Sequence, residues 1–260
     1  MYLYDNNMLL PWYHKAPISN WEPGDTEYLY QTNLRRLDPD WYYREKPVTY
    51  TWNRNGYRCP EWEDIDWANS HIVMGSSVVA GVGVAYEDTL PAWMESMLGE
   101  PVINLGYGGG SVYVHMYNAI HLIDNKIKPK SVTFVMPDYA RLTYFEQPYP
   151  THMLANSPPD NANLGALYNA WIADSNHSDM FGHMIAKGYE ALWQAQGVPV
   201  QLVHDWWQDV TKRTDWPVLP PQMDLARDMS SGPNGWYAHP GRLTQRMWAQ
   251  HIVELLRQKI

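Results

Sequence analysis

Four short apolar runs, Ile72–Met74, Val102–Leu105, Val132–Met136 and Val198–Val203, recur from residue 70 onward, each followed by a glycine-rich or polar segment. Helix-like stretches separate them at about Thr89–Leu98, Ser111–Lys126 and Met180–Gln196. A last one, from Leu243 to about Gln258, puts Met247, Ile252, Leu255 and Leu256 on roughly one face. Strand and helix in alternation predict a parallel sheet with helices on both faces, an α/β fold. Ligands of such sheets bind beyond the carboxyl ends of the strands. Four segments fall there: Gly75-Ser76-Ser77, Gly106-Tyr107-Gly108-Gly109-Gly110, Pro137-Asp138 and His204-Asp205.

The first 65 residues read differently. They lack helical periodicity and are rich in Tyr, Trp, Asn and Pro, which predicts an extended arm with short strands packing on a body formed by residues 66–260. The Pro-rich stretch from Trp216 to Asn234 predicts an irregular loop. A net charge of −9 argues against a nucleic-acid partner, which needs concentrated Lys and Arg. One cysteine, Cys59, forms no internal disulfide and reads as a small packed side chain, not a catalytic thiol. No stretch of eighteen apolar residues is present and the N-terminus, with Asp5, is not a secretory leader, so a cytoplasmic or virion-associated setting is expected.

Two residues stand out chemically. A serine at the lip of a strand-to-helix turn, as in His71-Ile72-Val73-Met74-Gly75-Ser76-Ser77, is one way to present a nucleophile. His239 precedes Pro240, which disfavours helical geometry and holds it extended at the entrance of the last helix. From there an imidazole can reach over the sheet edge. Histidines 14, 115, 121, 152, 177, 183 and 251 read as structural or surface groups, and no His-Glu-x-x-His or comparable spacing points to a metal. Gly81-Val82-Gly83 is too short for a dinucleotide fingerprint, and no cofactor is expected.

These segments resemble the SGNH (GDSL-type) hydrolases, flavodoxin-like three-layer esterases whose Ser, Gly, Asn and His lie in four sequence blocks. Gly75-Ser76-Ser77 is similar to the first block, making Ser77 the nucleophile, with Ser76 where the family carries Asp. The run from Gly81 through Gly110-Ser111 follows that family's first helix, second strand and glycine block, and the lead-in Asn53-Arg54-Asn55-Gly56-Tyr57-Arg58 resembles one found in bacterial and phage members. His239-Pro240-Gly241 and its helix resemble the last block. Two blocks depart from the pattern. Met136-Pro137-Asp138 stands where Gly-x-Asn-Asp is usual, which leaves the side-chain oxyanion donor unassigned, with Asp138 and Arg141 as auxiliary candidates. Trp236 stands where the acid of Asp-x-x-His is usual, whereas Ala226-Arg227-Asp228 resembles the Ala-Arg-Asp that often precedes His-Pro-Gly directly.

The resemblance implies ester hydrolysis through a seryl-acyl intermediate, with His239 as base. Asp228 is the acid that would orient it, with Asp224 and Asp205 as competitors or no acid at all. The N–H groups of Ser77 and Gly109 are the expected oxyanion donors. Trp206, Trp207, Trp216, Trp236 and Tyr237 gather near the expected mouth, as lid packing or, for Trp236 and Tyr237, as a surface for sugar stacking. A short acyl ester on a carbohydrate is the expected substrate. The alternative is a weak or inactive relative that binds glycan as a surface or virion component.

Overall fold

The computed structural model describes residues 17–146, 149–153, 165–166, 168–170, 175–204, 216–228 and 239–260. In chain order its strands are β1 (Ile18–Ser19), β2 (Tyr50–Thr51), β3 (His71–Gly75), β4 (Val102–Gly106), β5 (Ser131–Met136), β6 (Leu142–Glu146), β7 (Tyr149–Met153) and β8 (Val200–His204). Its helices of four or more residues are α1 (Glu27–Arg36), α2 (Ser77–Ala80), α3 (Leu90–Leu98), α4 (Val112–Asp124), α5 (Ser175–Ala195) and α6 (Arg242–Leu256).

The four apolar runs form one parallel sheet in the order β4-β3-β5-β8. Every residue of these strands is buried, and burial on both faces is why the runs are mostly apolar without strict alternation, with Asn104, Thr133 and Gln201 as their buried polar members. Alternation survives in which face each side chain serves. Ile72, Met74, Ile103, Leu105, Phe134, Met136 and Leu202 pack with Leu122 of α4 and with Tyr189 and Trp193 of α5. Val73, Val135 and Val203 point the other way, onto Met94 of α3 and Trp248 and Ile252 of α6. The result is three layers, helix–sheet–helix. Numbered by their own sequence, the core strands run 2-1-3-4, the start of the flavodoxin-type order, which puts the crevice beyond the carboxyl end of the first strand, β3.

Register brings the polar segments level. Gly75 pairs with Gly106 on one side and Val135 on the other, and Met136 pairs with His204.

The arm contains a helix that its sequence does not announce. Helix α1 runs for ten residues with only Asn33 buried and Leu29, Tyr30 and Leu34 half-buried beside it, so core packing fixes little of it. End effects define it instead: Thr26 caps it by accepting from the Leu29 N–H at 3.2 Å, Glu27 sits in the first turn, and Arg35 and Arg36 sit in the last. Tyr43, Val48, Tyr50 and Trp52 pack against Val84 and Ala226, and β1 pairs with β2. The antiparallel pair β6–β7 is a second addition; Pro150 within β7 masks the strand in the sequence. Of the expected loop, residues 216–228 hold only isolated bridges, Val218 to His204 and Leu225 to Pro240, and 229–234 lie outside the described residues.

Candidate active site

Strand β3 ends at Gly75, and helix α2 starts two residues later. Ser76 is buried and Ser77 is half-buried, so Ser77 is the hydroxyl with access to the crevice. As the first residue of α2, Ser77 carries an N–H with no carbonyl one helical turn before it. Close approach to β4 makes this possible. A Cβ on Gly106 would lie 2.2 Å from the Ala80 nitrogen and 2.6 Å from the Val79 carbonyl carbon, so any side chain there would push α2 off the sheet. The Tyr107 N–H donates to the Gly75 carbonyl at 2.8 Å, and the loop then turns through Gly109, which is half-exposed with φ +76°.

Arg58 holds the segment after α2. Its guanidinium is almost wholly buried and donates to the carbonyls of Gly81 (2.7 Å), Val84 (3.2 Å) and Ala80 (3.3 Å), with its charge 4.8 Å from the centre of the Tyr50 ring. Burial pushes its pKa down from the usual arginine value. The carbonyls and ring supply the negative potential that offsets that desolvation. Half-buried Cys59 next to it is inert for the same reason: burial pushes its thiol up.

His239 enters from the opposite side. Its carbonyl accepts from the Ala226 N–H at 2.9 Å and from Gln222 Nε2 at 2.9 Å, and Pro240 bridges to Leu225. This short ladder sets Asp228 beside the imidazole, and His239 Nδ1 hydrogen-bonds the Asp228 carboxylate. The Asp228 side chain is 2% exposed and that of His239 21%, so the acid is shielded while the imidazole reaches the surface of the crevice. Two links, one direct and one through Gln245, join this pair to the serine segment. The Arg227 N–H donates to the Gly83 carbonyl at 2.9 Å, and Gln245 Nε2 donates to the carbonyl of Val78 (3.1 Å), next to Ser77, and to that of Pro240 (3.5 Å), next to His239.

The competing acids are accounted for differently. Asp224 accepts from the Leu243 N–H (3.0 Å), the Thr244 N–H (2.8 Å) and Thr244 Oγ1 (2.7 Å), capping α6, whose own N-cap residue is Gly241. Asp205, with Trp206, Trp207, Trp236 and Tyr237, lies outside the described residues. Asp138 is exposed and folds back on its own turn, accepting from the Ala140 N–H at 2.8 Å while its carbonyl accepts from the Arg141 N–H. Trp216 is half-buried, stacked on His183 and tilted against His204 at the end of β8, with Lys187 Nζ 4.7 Å from its ring centre. Sequence reasoning did not single out Asp25, Tyr50, Arg58 or Gln245. Only Arg58 carried a signal, as the last residue of the Asn-x-x-Gly-Tyr-Arg lead-in. Among the described residues no group of three His, Cys, Asp or Glu is gathered as a metal site, and no helix is long and apolar enough to cross a membrane.

A parallel sheet in flavodoxin-type order, with a serine opening the first crossover and a carboxylate–histidine pair before the last helix, defines a class of α/β proteins. The described strands and helices form a three-layer α/β fold with a flavodoxin-type strand order. No family profile matches the sequence, and no curated protein sequence matches it. Among solved structures the chain is similar to a lipolytic protein of the G-D-S-L family from Desulfitobacterium hafniense (11% identity over 72% of this chain and 99% of that one, TM-score 0.44). It is also similar to a G-D-S-L family member from Veillonella parvula (12%, 73% and 98%, TM-score 0.42). A third is a carbohydrate esterase family 2 enzyme with a carbohydrate-binding domain from Corynascus thermopiles (10%, 81% and 70%, TM-score 0.42).

Proposed function

We propose that this chain is a serine ester hydrolase that removes short acyl groups, acetyl foremost, from a carbohydrate. The observation that carries the reading is the Asp228–His239 pair, bonded through Nδ1 and tied by Gln245 to the residue following Ser77. A serine hydroxyl is a weak nucleophile until a neighbouring imidazole takes its proton. With Nδ1 engaged by Asp228, Nε2 is the nitrogen for that task, and the buried carboxylate stabilises the imidazolium that results. Ser77 Oγ attacks the ester carbonyl, and the tetrahedral oxyanion is held by the N–H groups of Ser77 and Gly109. Such a donor is worth on the order of 3 kcal/mol where one has been removed. Collapse expels the alcohol, protonated by His239, and water then repeats the sequence on the acyl-serine. Support for a sugar alcohol is Trp216, whose ring lies against His204 at the end of β8, together with the sequence itself, which carries Trp236 and Tyr237 just before His239.

The test is a panel of p-nitrophenyl esters and acetylated sugars, with a fluorophosphonate adduct mapped by peptide mass. Ser77 is the expected site of the adduct, with turnover greatest for acetate. An adduct on Ser76, or full turnover without one, overturns the assignment. Glycan binding with no turnover establishes the inactive-relative reading instead.

A further inference from the structure

Asp25 is a fully buried carboxylate in the arm that the chemistry above does not use. It receives Arg227 in a two-pronged ion pair, from Nε at 3.1 Å to each oxygen and from Nη2 to Oδ2 at 2.6 Å. The same guanidinium donates to the carbonyls of Val48 and Asn20 and lies 4.3 Å from the centre of the Trp21 ring, while Asn33 Nδ2 donates to the Arg227 carbonyl at 2.9 Å. Every one of these partners of the guanidinium and the carbonyl comes from the arm, some 180 to 210 residues away in sequence. Tyr50 completes the cluster: its hydroxyl donates to Asp25 Oδ2 and accepts from the Gly83 N–H at 2.8 Å.

Both sides of the Gly83 residue are therefore pinned, its N–H by Tyr50 and its carbonyl by the Arg227 N–H. Gly83 in turn is the wall behind Asp228, since a Cβ there would lie 2.6 Å from Oδ1. Among the described residues Oδ1 is buried and accepts no hydrogen bond, so the carboxylate is set by the bond of its other oxygen to His239 and by the close approach of Gly83, which leaves no room for a side chain. We propose that Asp25, Tyr50 and Arg227 form a positioning cluster, supplied largely by the arm, that sets the Asp228 carboxylate and through it the imidazole of His239. The inference rests on the reading of Asp228 and His239 as acid and base, but its readout does not need turnover.

Among the described residues, the charged groups on the segments packed around His239 include Asp228, Arg227, Glu22 and Asp25 of the turn at Gly24, Asp224, and Arg242 with its partner Asp88. Neutralising Asp25 removes one negative charge and leaves Arg227 positive and uncompensated one residue from Asp228. Both changes disfavour the imidazolium, so the titration midpoint of His239 falls.

The experiment is an NMR titration of the histidine Cε1–H signals in the full chain, with His239 assigned by its loss in His239→Ala. Asp25→Asn is expected to lower the His239 midpoint by about half a pH unit or more, and the acid limb of kcat/KM with it. A folded Asp25→Asn with an unchanged midpoint overturns the proposal, because a purely structural role would lower thermal stability without moving the titration. Tyr50→Phe, which keeps every charge, is the second variant. It is expected to shift or broaden the downfield Nδ1–H signal of the His239–Asp228 bond and to lower kcat about tenfold with KM within twofold. An unchanged signal in that variant overturns the proposal even where Asp25→Asn does not fold. A wild type that shows the titration and the downfield signal but hydrolyses no ester refutes the esterase reading alone.

Discussion

Gly83→Ala separates backbone strain from displacement of the acid. Gly83 has φ +78°, and so does Gly99 nearly, at +70°, so an alanine at either position adopts a left-handed conformation costing roughly 1–2 kcal/mol. Their surroundings differ completely. The Cβ added at Gly99 meets nothing within 4 Å, whereas at Gly83 it meets Asp228 Oδ1 at 2.6 Å and the Ala226 Cβ at 2.8 Å. Ordinary contact begins near 3.4 Å, so the carboxylate must retreat by roughly 0.8 Å from a wall it now touches. Overpacking of this kind adds about 1–3 kcal/mol to the strain. A displacement approaching 1 Å in a positioned group costs on the order of 10²-fold in rate. Gly99→Ala is therefore expected to lose only the strain energy in urea unfolding and to keep wild-type kcat on p-nitrophenyl acetate. Gly83→Ala is expected to lose about 2–5 kcal/mol and about 10²-fold in kcat, with KM little changed. A folded Gly83→Ala with kcat within threefold of wild type, or a Gly99→Ala that loses as much rate, refutes the reasoning.

Asp228→Asn should lower kcat by on the order of 10²–10⁴-fold with the fold intact, because an amide disturbs the tautomer that Nδ1 must present, while Asp224→Ala should lose about 0.5–2 kcal/mol of stability as a helix cap and keep kcat within threefold; steady-state kinetics beside thermal unfolding tells them apart. Glu100 is held below the usual carboxylate range by hydrogen bonds from Lys130 and then His71, so its contribution to stability is present above its unfolded pKa and is lost as pH falls through the lower folded value. Glu100→Gln should accordingly flatten the acid side of a Tm-against-pH curve and leave its neutral plateau nearly parallel to wild type; an unaltered acid slope would count against it.

The sheet was legible because strands buried on both faces write themselves as short, mostly apolar runs, broken only by Asn104, Thr133, Pro199 and Gln201, and the helices α3 to α6 because each lays an apolar face on that sheet. Helix α1 was not, since capping and end charges leave no periodicity, and neither was β7, where a proline interrupts the strand pattern. At the site, Ser77 and His239 stood out through turn and proline chemistry, and Asp228 through the Ala-Arg-Asp motif. The buried bonds that surround them were hidden for a different reason. Asp25 meets Arg227 across 202 residues, Asn33 meets it across 194, and Gln245 meets Val78 across 167. No local pattern encodes a partner at that separation; only folding reveals it.

The bond between Asp228 and His239 and the ladder from Ala226 to His239 also close the base of the segment between them. A chain stapled at its root can change length at little thermodynamic expense, because closure entropy grows only as the logarithm of the number of residues. Asp228 and His239 are therefore joined by bonds that do not run through the sequence between them. A change in the length of that sequence leaves the pair's own bonds in place.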